Sequence, residues 1–151
     1  MIVKYNEPIE IHMTLQDVCV GDWIQVYSQI TKRYMPPTRI TAIFCDGTIQ
    51  HEIDEEQGDP FEDHIRDARP IRINRDTLKG FGFTVSNQKF HEDFYPYYDC
   101  LLGDKRVGTL VPLFSEFFFF CGSFWTGWMH EMIRHLSSVS DKPIKITWHG
   151  V

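Results

Sequence analysis

The chain has 151 residues, 42% hydrophobic and 24% charged, with a formal net charge of −6, a length and composition that suit one domain, residues 1–151, with its own core. The longest apolar run, residues 117–121, is far short of the roughly 18 residues a membrane-spanning helix needs. Residues 1–11 lack the basic start and apolar stretch of a signal peptide, so a soluble cytoplasmic protein with no membrane partner is expected.

Aromatic content is 15%, and the excess is phenylalanine clustered between Phe114 and Phe124. Such side chains favour a rigid, strand-rich core. The four cysteines, Cys19, Cys45, Cys100 and Cys121, include no closely spaced pair of the zinc-binding kind. Cys19, Cys45 and Cys121 sit in or beside apolar strand-like runs, and buried free thiols are the expectation. The acidity is concentrated: residues 52–67 hold eight acids and one base, leaving the rest of the chain at +1.

In chain order, residues 9–13 alternate as an edge strand or a loose arm, and 14–18 read as a turn. Residues 23–27 alternate as a strand. Another strand is expected over 38–45, with Ile40, Ala42 and Phe44 on one face. Asp46-Gly47 predicts a two-residue hairpin with positive φ at both positions, returning through a strand over 48–53. The acidic stretch reads as a long loop, and a strand over 65–73 closes the small sheet. Asn74 is a good N-cap for a short helix over 75–81, which Gly82 stops in a left-handed conformation. Strands follow over 90–98, 99–102, 107–113 and 116–121. The main helix is expected over 125–139, with Met129, Met132, Ile133, Leu136 and Val139 as its apolar stripe. A last strand is expected over 144–148.

These elements give an α+β fold. Its front half, residues 14–73, is expected to be a small SH3-like β-barrel. A bridging helix, 74–83, joins it to an antiparallel sheet with one packed C-terminal helix, 84–151.

Three stretches resemble a family of small bacterial and phage proteins, common in gut anaerobes and their mobile elements, whose activity is not established. Val20-Gly21-Asp22-Trp23-Ile24 is similar to the family's opening Leu-Arg-Ile-Gly-Asn-Trp-Val. Pro70-Ile71-Arg72-Ile73, Leu78 and Gly82-Phe83 fall at its spacing. Met129-His130-Glu131-Met132-Ile133 is similar to its Val-His-Glu-Leu-Gln helix. The resemblance runs from about residue 14 to 148, and the acidic loop and the Phe-rich strand depart from it. It implies one domain and a bacterial or phage setting, with the host cytoplasm as the location if phage-encoded.

The candidate sites are few. His130 and His135 are five residues apart, which turns them about 140° from each other on a helix, whereas a zinc helix wants a spacing of four. A polar helix face and a structural hydrogen bond at His130 fit better. Asp54, Glu55, Glu56 and Asp59 form the centre of the acidic loop, read either as solvated or as a docking surface for a basic partner. Asp54, Glu56, Asp59, Glu62, Asp63 and His64 offer an alternative reading as a metal-dependent enzyme, but the EF-hand spacing is missing. Arg66, Arg69, Arg72 and Arg75 recur every third residue and offer a nucleic-acid alternative, although that spacing alternates faces in a strand. Trp125 and Trp128 border the expected helix start as interface anchors or core lids. No nucleophile elbow or phosphate loop is present. The reading leans away from an enzyme, calls for no cofactor or metal, and favours an accessory protein that binds another protein.

Overall fold

The computed structural model describes residues 12–52, 59–91 and 94–150. The chain divides after Pro70 into two compact units. Each unit has its own antiparallel sheet, and both α-helices lie in the second, so the class is α+β.

The first unit contains β1 (Trp23–Ser28), β2 (Arg33–Tyr34), β3 (Thr38–Ile43), β4 (Thr48–Glu52), β5 (Phe61–His64) and β6 (Ala68–Arg69). Strand β1 is the hub. Trp23 and Ile24 pair with β3, Gln25 and Val26 with β6, and Tyr27 and Ser28 with β2. Strands β4 and β5 extend the sheet from β3. One 3₁₀ turn, Ile65–Asp67, carries the chain from β5 into β6, so the last strand returns to the first. The resulting half-barrel closes on Ile24, Val26, Ile40, Ile49, Ile65 and Ala68. Each such side chain contributes about 1.5–3 kcal/mol on full burial.

Several local expectations change here. In the hairpin between β3 and β4 only Gly47 has positive φ, +95°. Gly47 N–H donates to the Phe44 carbonyl at 3.1 Å, and Phe44 N–H to that of Thr48 at 2.9 Å. This is a three-residue loop ending in a left-handed glycine, not a two-residue one. A register shift between Ile40 and Ala42 inserts a bulge that flips the face. Ile43 therefore packs on the core and Phe44 is exposed. Part of the acidic stretch is strand β5 rather than loop. Residues 65–73 are not one strand: they are the 3₁₀ turn, β6 and an isolated bridge at Arg72, with a second bridge just beyond at Asn74. Cys19 and Cys45 are exposed and Cys121 is half-buried, so the three thiols expected to be buried are not; the buried one is Cys100.

The second unit contains α1 (Arg75–Gly80), β7 (Phe83–Val85), β8 (Lys89–His91), β9 (Phe94–Leu102), β10 (Lys105–Leu113), β11 (Glu116–Cys121), β12 (Phe124–Thr126) and α2 (Met129–Val139). Strands β7 and β8 both pair with β9, and the sheet continues through β10 and β11 to β12. Asn74 caps α1 with a reciprocal box. Its Oδ1 accepts from Thr77 N–H at 2.8 Å, and Thr77 Oγ1 accepts from Asn74 N–H at 2.9 Å. Gly82 follows at φ +89°. Leu78, Phe81, Phe83, Leu110, Phe119, Met129 and Met132 are buried.

The main helix starts four residues later than expected. Gly122, at φ +61°, turns the chain so that residues 124–126 pair with β11 as a strand. Helix α2 buries Met129, His130, Met132 and Leu136, while Val139 is 58% exposed. Residues 144–148 form no strand. Trp148 instead packs edge-on against Phe81, with ring centres 5.0 Å apart, over Gly80, where any Cβ would overlap its ring. Among the described residues no helix is long and apolar enough to cross a membrane.

Candidate interaction surface

Alternation along β11 separates its phenylalanines. Phe117 and Phe119 are buried, whereas Phe118 and Phe120 point to the opposite face. Register fixes what lies beside them: Val111 pairs with Phe118, Thr109 with Phe120, and Phe120 with Trp125. The Phe118 and Trp125 rings meet edge-on at 5.8 Å. Helix α2 belongs to the other face. Thr126 Oγ1 donates to Glu131 at 2.6 Å, and Phe124 stacks on His135 at 4.0 Å. Both Phe124 and Thr126 alternate with Trp125.

The outer face therefore carries an apolar strip. Trp125 is 61% exposed, Phe120 37% and Leu113 45%. At the β10–β11 turn, Phe114 is 99% exposed and held at φ +58°. A left-handed conformation is unfavourable for a bulky residue, and full exposure of a phenylalanine adds to that cost.

What admits Phe119 inward, and so sends its neighbours outward, is Gly108. A Cβ at Gly108 would overlap the Phe119 ring and stand 2.7 Å from the Phe120 carbonyl oxygen.

The charges bordering the strip are engaged. Asp99 accepts from Lys89 at 2.5 Å and from Arg106 at 3.0 Å, and Arg106 also donates to Thr109 Oγ1 at 2.6 Å. The hydrogen bond from Lys89 lowers the Asp99 pKa, and the same bond raises that of Lys89. At the other margin Arg72 pairs with Glu116 at 3.1 Å and lies 4.6 Å over the Trp128 ring. Trp125 is thus exposed on a strand, and Trp128 is half-buried beside an arginine.

The remaining candidates scatter. His130 is buried on α2. Arg75 lies over Tyr98 at 4.9 Å and Phe117 at 5.5 Å, on the sheet's inner side, opposite to Glu116 and its partner Arg72. In the first unit, Arg69 covers Tyr34 at 3.6 Å and donates to Gln25 at 3.2 Å, and Arg66 is exposed on the 3₁₀ turn. Asp59 is exposed, while Asp54, Glu55 and Glu56 lie outside the described residues. His64 has both ring nitrogens in use: Nδ1 accepts from Arg66 N–H at 3.1 Å, and Nε2 donates to the Asp46 carbonyl at 3.1 Å. Among the described residues no group of three or more His, Cys, Asp or Glu is placed to hold a metal.

One cluster had no signal in the sequence. Thr38 Oγ1 lies 2.9 Å from His51 Nδ1, and His51 Nε2 lies 2.7 Å from Asp63. The order of groups is that of a nucleophile, base and acid, but Thr38 is only 2% exposed. The three residues tie β3, β4 and β5 together, with Phe61 stacked on the imidazole at 5.7 Å. Their spacing, 13 and 12 residues, becomes meaningful only once the strands pair.

Compared with family models, curated proteins and solved structures, the chain matches none of them.

Proposed function

We propose that this chain is a non-enzymatic interaction module that binds another protein through the outer face of its second sheet. The observation that carries this reading is the outer-face group of Leu113, Phe118, Phe120 and Trp125, with the fully exposed Phe114 at the adjoining turn, bordered by charges that already have partners. Exposed aromatics in one patch are the usual anchors of protein interfaces, where a few such side chains carry most of the affinity. A nucleic-acid strand also stacks on aromatics, but its phosphates need available cations. Lys89 and Arg106 share Asp99, Arg72 holds Glu116, and Arg69 and Arg75 lie over rings, while Arg66 is exposed on the 3₁₀ turn of the first unit, away from any ring or ion pair named above. Protein is therefore the better-supported partner.

Two finer readings accompany it. The first unit is an SH3-like barrel, supported by the return of β6 to β1 through a single 3₁₀ turn. The setting is the cytoplasm of a bacterium or of a phage-infected host, as the family resemblance implies.

The test is site-specific photo-crosslinking in cells, with a benzophenone amino acid replacing Phe120 or, as control, the exposed Ile30 of the first unit. Discrete protein adducts from position 120 that Leu113→Glu abolishes, and that position 30 does not give, are expected. Equal labelling from both positions, or none from position 120, refutes the reading. Salt-dependent binding of a single-stranded oligonucleotide, abolished by Arg72→Ala with Arg75→Ala, transfers the function to nucleic acid.

A further inference from the structure

We infer that the partner binds as an extended peptide strand added to the edge of β12, its apolar side chains at alternate positions laid along Trp125; this rests on the reading of the outer face as a protein-docking surface. Two observations support strand addition, the direction of the Trp125 backbone and the size of the apolar face.

The backbone direction follows from the register. Cys121 and Phe124 face each other across the two-residue turn Gly122-Ser123, with Gly122 at φ +61°. A two-residue hairpin is closed by a pair that exchanges both backbone hydrogen bonds, so the next pair, Phe120 and Trp125, exchanges none. The Phe120 carbonyl agrees, because its oxygen turns to β10 and stands 2.7 Å from where a Cβ on Gly108 would lie. The N–H and C=O of Trp125 therefore project away from β11. Strand β12 ends the sheet, and among the described residues nothing pairs with its outer side at Trp125. Residues 71–73 take up the chain only beyond that point. There Ile73 N–H donates to the Gly127 carbonyl at 3.0 Å, and Met129 N–H to the Ile71 carbonyl at 2.8 Å. One backbone donor and one acceptor thus stand open at a sheet edge, on the residue whose ring is 61% exposed.

The second observation is area. Aromatic side chains bury about 150–250 Å² each, so at their fractional exposures Leu113, Phe120 and Trp125 present roughly 300 Å². A standard interface between folded proteins takes about 800 Å² per partner, roughly 60% of it apolar. This face falls short of that. A single strand needs less, because the sheet edge adds main-chain hydrogen bonds to the apolar contact. A residue paired with Trp125 points its side chain to the same face as the ring, as do the residues two before and two after it. Those positions take the apolar side chains. Strand β12 is three residues long and offers one bonded pair, so the main chain fixes direction and register while the Trp125 ring supplies the anchor.

Amide hydrogen exchange followed by NMR on the full chain reads the edge directly. In the free protein the Trp125 amide is expected to exchange at least about tenfold faster than those of Phe124 and Thr126, which bond to β11. A phage-displayed library of random dodecapeptides, panned against the chain, is expected to yield sequences with apolar residues at alternate positions. Synthetic peptides of those sequences are expected to slow the Trp125 amide and to bind a Trp125→Ala chain about tenfold more weakly. N-methylation of the peptide amide at the paired position is expected to cost about tenfold in affinity. A Trp125 amide as protected as its neighbours in the free protein overturns the proposal. So does a library that enriches nothing over the Trp125→Ala chain, or peptides that tolerate N-methylation at every position. Protein adducts from position 120 alongside any of these failures overturn strand addition while leaving the docking reading standing. Absence of any adduct removes both.

Discussion

Substituting Gly108 by alanine tests the register that creates the exposed face. The added methyl overlaps the ring of Phe119, which is fully buried, and stands 2.7 Å from the Phe120 carbonyl oxygen. The ring has no solvent to retreat into, and the oxygen belongs to the backbone, so no side-chain rotation relieves it. Overpacking of this kind costs about 1–3 kcal/mol, and the backbone contact places Gly108→Ala near the upper end, at about 2–3 kcal/mol. For a chain of this size that lowers the melting temperature by roughly 5–10 °C. Urea denaturation followed by circular dichroism measures it. Phe119→Leu removes the ring atoms nearest the new methyl, so the double variant is expected to be at least about 1 kcal/mol more stable than the sum of the single effects requires. A Gly108→Ala chain within about 0.5 kcal/mol of wild type, or strict additivity with Phe119→Leu, refutes the notch and the inward placement of Phe119.

Three further outcomes are expected. A thiol reagent at pH 8 labels Cys19 and Cys45 in the native protein, and Cys100 only on unfolding, since burial pushes its thiol up to about 12; rapid native labelling of Cys100 contradicts its placement. Because the unfolded Cys100 loses its proton first, stability falls by about 1.4 kcal/mol per pH unit above roughly 8.5, and Cys100→Ala is expected to remove that slope in alkaline urea titrations. Asn74→Ala loses the Oδ1 bond from Thr77 N–H while the backbone N–H of residue 74 can still donate to Thr77 Oγ1, and is expected to cost about 1 kcal/mol in the same assay. At the acid end, the lowered pKa of Asp99 contributes stability above the ordinary carboxylate range, which is lost as pH falls through the lowered value; Asp99→Asn is expected to flatten the acid limb, and an unchanged limb contradicts the Lys89 and Arg106 bonds.

Features set by local chemistry were legible in the sequence. The Asn74 cap, the stop at Gly82, and the strands over 107–113 and 116–121 depend on residue type and short-range alternation, and the structure places them there. The misreadings have non-local causes. Trp125 sits next to a strongly helical pattern, but pairing with Phe120 across the Gly122 turn makes it a strand residue and so carries its ring to the outer face. The bulge between Ile40 and Ala42 exists only against β4. Strand β5 is dominated by acids that local propensity disfavours in sheets; it forms because β4 lies alongside and His51 bonds Asp63. The aromatic face is likewise invisible to composition. The run of residues 117–120 reads as uniform core, and only the notch at Gly108 decides which two rings go in and which two come out.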